Sequence, residues 1–215
     1  MNLITHNLPQ EIAEALLQIG AVALRPHEPF TWTSGIRSPI YCDNRLIMSY
    51  PSIRNKVAEG FAAIIRERYP EAEVIAGTAT GGIAHAAWVA DRLNLPMVYV
   101  RGKAKGHGKQ NLVEGVLNPG SKVVVIEDLI STGGSSLKAA LAVKEAGGDI
   151  LSVLSIFTYQ FDQAKEAFGE QQIVIESLSD YTALLETAVR LGQIEEQDIA
   201  LLQSWRKNPQ SFGNN

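Results

Sequence analysis

Two adjacent carboxylates, Glu127 and Asp128, follow the apolar run Val123-Val124-Val125-Ile126 and precede Leu129-Ile130 and then Ser131-Thr132-Gly133-Gly134-Ser135-Ser136. The hydroxyl- and glycine-rich half suits a small anion, because hydroxyls and unshielded backbone N–H groups at a helix start donate hydrogen bonds where the helix dipole is positive. The acidic half repels one. A ligand that satisfies both carries a monophosphate at one end and vicinal hydroxyls at the other. Carboxylates accept hydrogen bonds from a diol and can offset positive charge developing on a sugar ring. Taken singly, an acidic strand end and a Ser/Thr-rich helix start are ordinary features; their adjacency points to a sugar phosphate.

Two further loops have the composition for anion chemistry. Gly77-Thr78-Ala79-Thr80-Gly81-Gly82 follows Val74-Ile75-Ala76 and leads into a helical pattern. Its small residues let backbone amides approach an oxyanion, although a tight strand-to-helix turn would need the same glycines. It matches neither GxGxxG nor the GxxxxGK[ST] phosphate loop. Arg101-Gly102-Lys103-Ala104-Lys105-Gly106-His107-Gly108-Lys109 places a cationic or protonatable group at every second position, so an extended chain aims all five to one side. Most charge runs are solvated surface. Five such groups converging in an acidic chain favour a strongly anionic ligand.

These loops need a scaffold, and the apolar pattern supplies one. Runs at 74–76, 97–100, 123–126, 151–157 and 173–175 read as strands buried on both faces, the mark of a parallel sheet. Helical periodicity at 82–93, 135–146 and 160–169 alternates with most of them, giving βαβ units whose ligands sit at the carboxyl ends of the strands. The 135–146 helix stops at Gly147-Gly148. Further helices are expected at 9–19, 51–68, 181–191 and 195–205. The stretch from Phe30 to Asp43 reads as a hairpin or small hood around Ser34-Gly35. Residues 101–121 hold no convincing helix, and long connections of that kind are usually functional loops.

With 215 residues and 46% hydrophobic content, one core can form, burying roughly 70% of the unfolded surface. A net charge of -4 argues against a general nucleic-acid or membrane-surface binder. The single Cys42 forms no internal disulfide, no Cys/His ligand cluster appears, and no apolar run reaches the length of a membrane span. A cytoplasmic protein is the expectation.

VVVIEDLISTGGSS resembles the 5-phosphoribosyl 1-diphosphate (PRPP) motif of type I phosphoribosyltransferases. Together with it, FTWTSGIRSPIYCDNR at 30–45, GTATGGIAHAAW at 77–88 and RGKAKGHGK at 101–109 resemble orotate phosphoribosyltransferases, a likeness spanning about residues 10–160. The resemblance implies an α/β chain with the type I phosphoribosyltransferase fold: a mainly parallel central sheet flanked by helices, with a small N-terminal hood. Residues 1–215 would form one domain, the hood coming mainly from about 1–50.

The resemblance also assigns roles. Glu127 and Asp128 would hold the ribosyl hydroxyls. Leu129, Ile130, Ser131, Thr132, Gly133, Gly134 and Ser135 complete the PRPP-binding segment, with Ser131 also near orotate. Thr78, Ala79, Thr80 and Gly81 would form the diphosphate loop. Arg101, Lys105 and His107 match loop residues that bind the diphosphate, with Lys105, His107 and Asp128 the catalytic groups, and Lys103 and Lys109 extra cations. Thr33, Gly81 and Gly102 stand where a familiar form of the enzyme has lysines. Arg45 is either a replacement cation for the orotate carboxylate or an exposed structural arginine, and Phe30, Trp32 and Tyr41 either stack on the base or belong to the core. The implied reaction is Mg2+-dependent transfer of the phosphoribosyl group from PRPP to orotate, in pyrimidine biosynthesis. The metal would be held mainly by PRPP and not directly by protein. The implied assembly is a homodimer in which loop 101–109 reaches the neighbouring active site. A phosphoribosyltransferase for a purine or uracil, or a PRPP-sensing regulator of the same fold, are the alternatives.

Overall fold

The computed structural model describes residues 7–31, 35, 37–102 and 112–212. Leu8–Gln18 forms α1, begun by Pro9 in its first turn, where a missing N–H costs nothing, and burying Ile12, Leu16 and Leu17. The hood follows as two short antiparallel pairs. Val22–Leu24 (β1) pairs with Ile40–Cys42 (β4), and Phe30–Thr31 (β2) pairs with Arg37–Ser38 (β3). The expected hairpin is therefore real only between β2 and β3; Ile40–Cys42 turns away to a strand that the sequence pattern did not reveal. A 3-10 turn at Asn44–Ser49 leads into α2, Pro51–Arg68.

The main sheet then builds from Val74–Thr78 (β5), Met97–Val100 (β6), Val113–Glu114 (β7), Lys122–Ile130 (β8), Asp149–Thr158 (β9) and Ile175–Asp180 (β10), in the order β10-β9-β8-β5-β6-β7. All neighbours are parallel except β7, which returns antiparallel along β6 with Tyr99 opposite Glu114 and Val100 opposite Val113. The connecting helices are Gly81–Leu93 (α3), Gly134–Glu145 (α4) and Asp162–Glu170 (α5), and the chain closes with Tyr181–Arg190 (α6) and Asp198–Lys207 (α7).

The apolar runs of the central strands divide between two cores. Val124 and Ile126 face one layer with Ile12, Phe61 and Trp205, whereas Val123 and Val125 face the other with Val143 and Phe168. Period-two alternation inside a continuous apolar run is the expected result of covering both faces of a parallel sheet. Trp205 of α7 is 1% exposed and sits among Tyr159, Phe161 and Tyr181, with ring centroids 5.4–5.8 Å apart.

Several element boundaries differ from the sequence expectation, and three of them have a visible cause. β8 does not end at Ile126 but runs on to Ile130, because β9 keeps pairing with it, Glu127 opposite Ser155 and Leu129 opposite Phe157. β10 occupies Ile175–Asp180, not 173–175, its polar sequence IESLSD tolerated on a sheet edge. α7 starts at Asp198, three residues later than expected, where the Asp198 carboxylate accepts from the backbone of Glu195 at 3.0 Å.

Candidate active site

The continuation of β8 changes what the two acids are. Neighbouring strand residues point to opposite sheet faces. Glu127 therefore follows Val125 toward α4, where Ser136 Oγ donates to its carboxylate at 2.9 Å. The other oxygen accepts the Asp128 backbone N–H at 3.0 Å. Asp128 follows Ile126 toward α3, where its carboxylate rests against the α-carbon of Gly81. The backbone thus presents this like-charged pair to different helices, α4 and α3, while the two carboxyl groups stay close enough to interact at the wall of one cavity.

Their environments diverge as well. Glu127 is 6% exposed, and burial first, then the Asp128 carboxylate, pushes its acid up to about 7. Asp128 is half-buried and faces a cavity of about 440 Å3. Asn44, buried at the head of the 3-10 turn, donates its side-chain amide to the Asp128 carbonyl at 2.7 Å and so ties the hood to this strand end.

The cavity lies at the carboxyl ends of β5 and β8, where an open α/β sheet presents its ligands. Its wall takes Ala79, Thr80 and Gly81 from one loop, Glu127, Asp128 and Leu129 from the strand end, Ser131, Thr132, Gly133 and Ser135 from the next loop, and Cys42, Asp43 and Arg45 from the hood. Gly133 adopts φ +82°, a conformation that reverses the chain into α4 and packs its α-carbon near Phe168 and Ala164. The amino ends of α3 and α4 thus open on the same cavity, giving it two backbone sources of positive potential. The Ala79–Thr80 peptide is cis, and the Ala79 N–H donates to Val100 O at 2.8 Å, fixing the first loop to β6.

Most of the residues expected from sequence come together here, and some do not. Thr78 lies beneath the surface, its hydroxyl donating to Ile126 O at 3.3 Å, and the Ile130 side chain is fully buried in the α4–α5 core. Gly134 stands exposed at the first position of α4, outside the cavity wall. Arg101 is at the foot of the basic loop, 3.3 Å from Glu114. Thr33, Lys103, Lys105, His107 and Lys109 lie outside the described residues, as does Trp32. Phe30 and Tyr41 face each other at 5.7 Å, and Tyr41 is 45% exposed, so neither is core.

Arg45 does line the cavity, and among the described residues it is the one cationic side chain that does. Its guanidinium already forks onto Asp43, Nε to Oδ1 at 2.6 Å and Nη2 to Oδ2 at 2.8 Å. That fork holds the Asp43 carboxyl below its usual range and raises the Arg45 guanidinium. Sequence reasoning missed Asn44, Ser136, Asp43 and Cys42. Asn44 and Ser136 act on Asp128 and Glu127 through contacts 84 and nine residues apart, respectively, and only the fold brings the first of these together. Cys42 is half-buried at the cavity wall, and desolvation followed by the nearby Asp128 and Asp43 charges pushes its thiol up, which favours the protonated form.

The family model for the phosphoribosyl transferase domain matches residues 49–175, which include both cavity loops and the acids. Orotate phosphoribosyltransferase of Bacillus caldolyticus is 56% identical over 206 residues, covering 96% of this chain and 100% of that protein. The enzyme of the same name from Enterococcus faecalis strain V583 is 56% identical over 204 residues, covering 95% and 97%. Among solved structures, orotate phosphoribosyltransferase from Aeropyrum pernix superposes with a TM-score of 0.74 at 30% identity, over 85% of this chain and 99% of that one. Leishmania donovani UMP synthase superposes at 0.76 with 27% identity over 92% of this chain, which spans 42% of that larger protein. A cavity flanked by two helix amino ends, an acidic strand end between them, and likeness over nearly the full length lead to one conclusion: the chain belongs to the orotate phosphoribosyltransferases.

Proposed function

We propose that this chain transfers the 5-phosphoribosyl group of PRPP to orotate, releasing diphosphate and forming orotidine 5′-monophosphate in pyrimidine biosynthesis. The observation that carries the reading is the opposition, across one cavity, of the Asp128 carboxylate and the Ser131–Ser135 loop at the amino end of α4. The loop takes the 5′-phosphate, and Asp128 takes the ribosyl hydroxyls from the strand end. Glu127, held by Ser136, forms the wall between them. The Ala79–Gly81 turn at the amino end of α3 faces the diphosphate, with Thr78 beneath it. Cations for the leaving group come from Arg101, Lys105 and His107, with Lys103 and Lys109 adding charge to the same segment. Catalysis then rests on positioning and on charge complementarity to an oxocarbenium-like state, with no side-chain nucleophile.

The family implies Mg2+. Among the described residues no group of three or more His, Cys, Asp or Glu side chains could hold a metal ion. The residues present nevertheless fit this ion, because Mg2+ keeps waters and leans on substrate oxygens with one or two carboxylates, and Asp128 offers one at the cavity surface. When bound, the ion would neutralise diphosphate charge. Arg45 reaches the orotate carboxylate if its fork with Asp43 opens, and Ser131 borders the same base.

The active form is a homodimer whose 101–109 segment serves the neighbouring site. Tyr41, Leu46, Met48 and Tyr50, each 40–45% exposed around the 3-10 turn, supply apolar surface for such an assembly. No helix among the described residues is long and apolar enough to cross a membrane. The domain is single, 1–215. The test is incubation with PRPP and Mg2+ and, in turn, orotate, uracil and purine bases: loss of orotate with release of diphosphate is expected. Conversion of another base in its place, or binding of PRPP without any conversion, refutes the assignment.

A further inference from the structure

His85 is fully buried in α3, and neither ring nitrogen has a hydrogen-bond partner among the described residues. An imidazole in that state still carries one N–H, and an unpaired buried donor is a penalty that an apolar side chain of similar volume would avoid. The helix register shows what lies beside it. Gly81, His85 and Trp88 recur at four- and three-residue spacing on one face. The α-carbon of Gly81 touches the Asp128 carboxylate, and the His85 ring packs edge-on to Trp88 at 5.4 Å. Arg54 covers the far side of Trp88 at 5.2 Å. The imidazole thus stands one helical turn beneath the carboxylate that faces the cavity. Burial keeps it neutral, with a pKa pushed down to about 4, and Asp128 is the charge that opposes that fall.

Resting on the reading of Asp128 as the ribosyl-hydroxyl acceptor, we propose that His85 is a positioning residue for Asp128. Its ring N–H takes one carboxylate oxygen when PRPP draws that side chain off Gly81. The other oxygen then faces the diol in a fixed plane. A carboxylate has lone pairs for both partners, and a carboxylate pinned at one oxygen loses little further freedom as the ribosyl ring flattens toward the transition state. A histidine kept only for packing would have no such link to Asp128.

The test uses the full-length enzyme. Steady-state kcat and KM are measured for the wild type, His85→Leu, His85→Gln, Asp128→Asn and the His85→Leu/Asp128→Asn pair, with imidazole 15N shifts of the wild type recorded before and after PRPP addition. His85→Leu is expected to melt no lower than wild type while kcat falls about ten-fold, with the KM for orotate unchanged. His85→Gln, which keeps a donor, regains part of the loss. In the Asp128→Asn background the same change costs less than it does with Asp128 present, because only a neutral amide oxygen is left to accept from the ring. The His85 nitrogens shift when PRPP binds. Wild-type kcat in His85→Leu, an equal loss in both backgrounds, or nitrogen shifts indifferent to PRPP would each overturn the proposal. If His85→Leu does not fold, His85→Gln and the shifts decide. Failure of the wild type to convert orotate sinks the functional reading instead, and the PRPP-dependent shifts still report on His85.

Discussion

Gly82→Ala tests how the cavity floor is built. A β-carbon at position 82 would meet the Ile126 carbonyl oxygen far inside contact and would lie 2.6 Å from Thr78 Oγ1. Both obstacles belong to neighbouring sheet strands, so no surface side chain can swing aside; α3 itself must lift from β5 and β8 by several tenths of an ångström to about 1 Å to restore ordinary separations. Overpacking of that kind costs about 1–3 kcal/mol. The 3.3 Å Thr78–Ile126 hydrogen bond lies in the way and is lost with it, adding about 1 kcal/mol. The expected destabilisation is therefore about 2–4 kcal/mol, read as a lower urea midpoint at unchanged slope. Because α3 carries Gly81 against Asp128, a shift near 1 Å should also lower kcat roughly 100-fold in the fraction that remains folded. Gly81→Ala is the control. Its β-carbon meets only the Asp128 carboxylate among its nearest contacts, at 2.6 Å for Oδ1, and that group can rotate into the cavity for about 0.5–1.5 kcal/mol. Equal stability losses in the two variants, or a Gly82→Ala enzyme within about 0.5 kcal/mol of wild type, would refute the helix-on-strand account.

Three other outcomes are expected, two from this geometry and one from the basic loop. Glu127 titrates in the folded chain at about 7, above its ordinary value of 4.5. Its contribution to stability is thus fully present below about pH 4.5 and lost as pH rises through about 7. Glu127→Gln should accordingly gain on wild type in urea midpoint between pH 5 and pH 8, and parallel curves would contradict the assignment. Asp128→Asn keeps the carbonyl that Asn44 holds, so it should melt as wild type does while losing about 1.5–3 kcal/mol of transition-state stabilisation with PRPP; an unchanged kcat/KM would remove it from the ribosyl contact. Lys105→Ala should lower turnover roughly ten- to a hundredfold through loss of a charge-assisted contact, and wild-type turnover would detach that lysine from diphosphate departure.

The sheet was legible where residues are apolar for a physical reason: Val123–Ile126 is greasy because both faces are covered, and α2 at 51–68 shows its buried stripe. Strand ends were not legible. Apolarity stops at Ile126, yet pairing with β9 carries β8 through Glu127 and Asp128, and this is what presents one acid to Ser136 of α4 and the other to Gly81 of α3. β10 was misplaced because IESLSD carries its strand character in a ladder to β9, not in its side chains. The phosphate loop could be read from its own composition. Arg45 was legible as a candidate cation but its fork onto Asp43 two residues earlier was not, since that depends on the turn between them. Asn44 and His85 gave no signal either, one acting across the hood and the other beneath a glycine.

The short return strand β7 has a consequence for how this enzyme can change. Arg101 N–H donates to Leu112 O at 2.9 Å, Tyr99 and Val100 pair with Glu114 and Val113, and Arg101 and Glu114 form an ion pair. Both residues that flank the basic segment, Arg101 and Leu112, are therefore stitched together at the sheet edge. Doubling the length of the chain between them adds only about 0.6 kcal/mol of closure entropy, and no core residue has to move to accept it. The sequence between these two anchors can thus be rewritten, by substitution or by insertion, without disturbing the cavity wall that β5 and β8 hold.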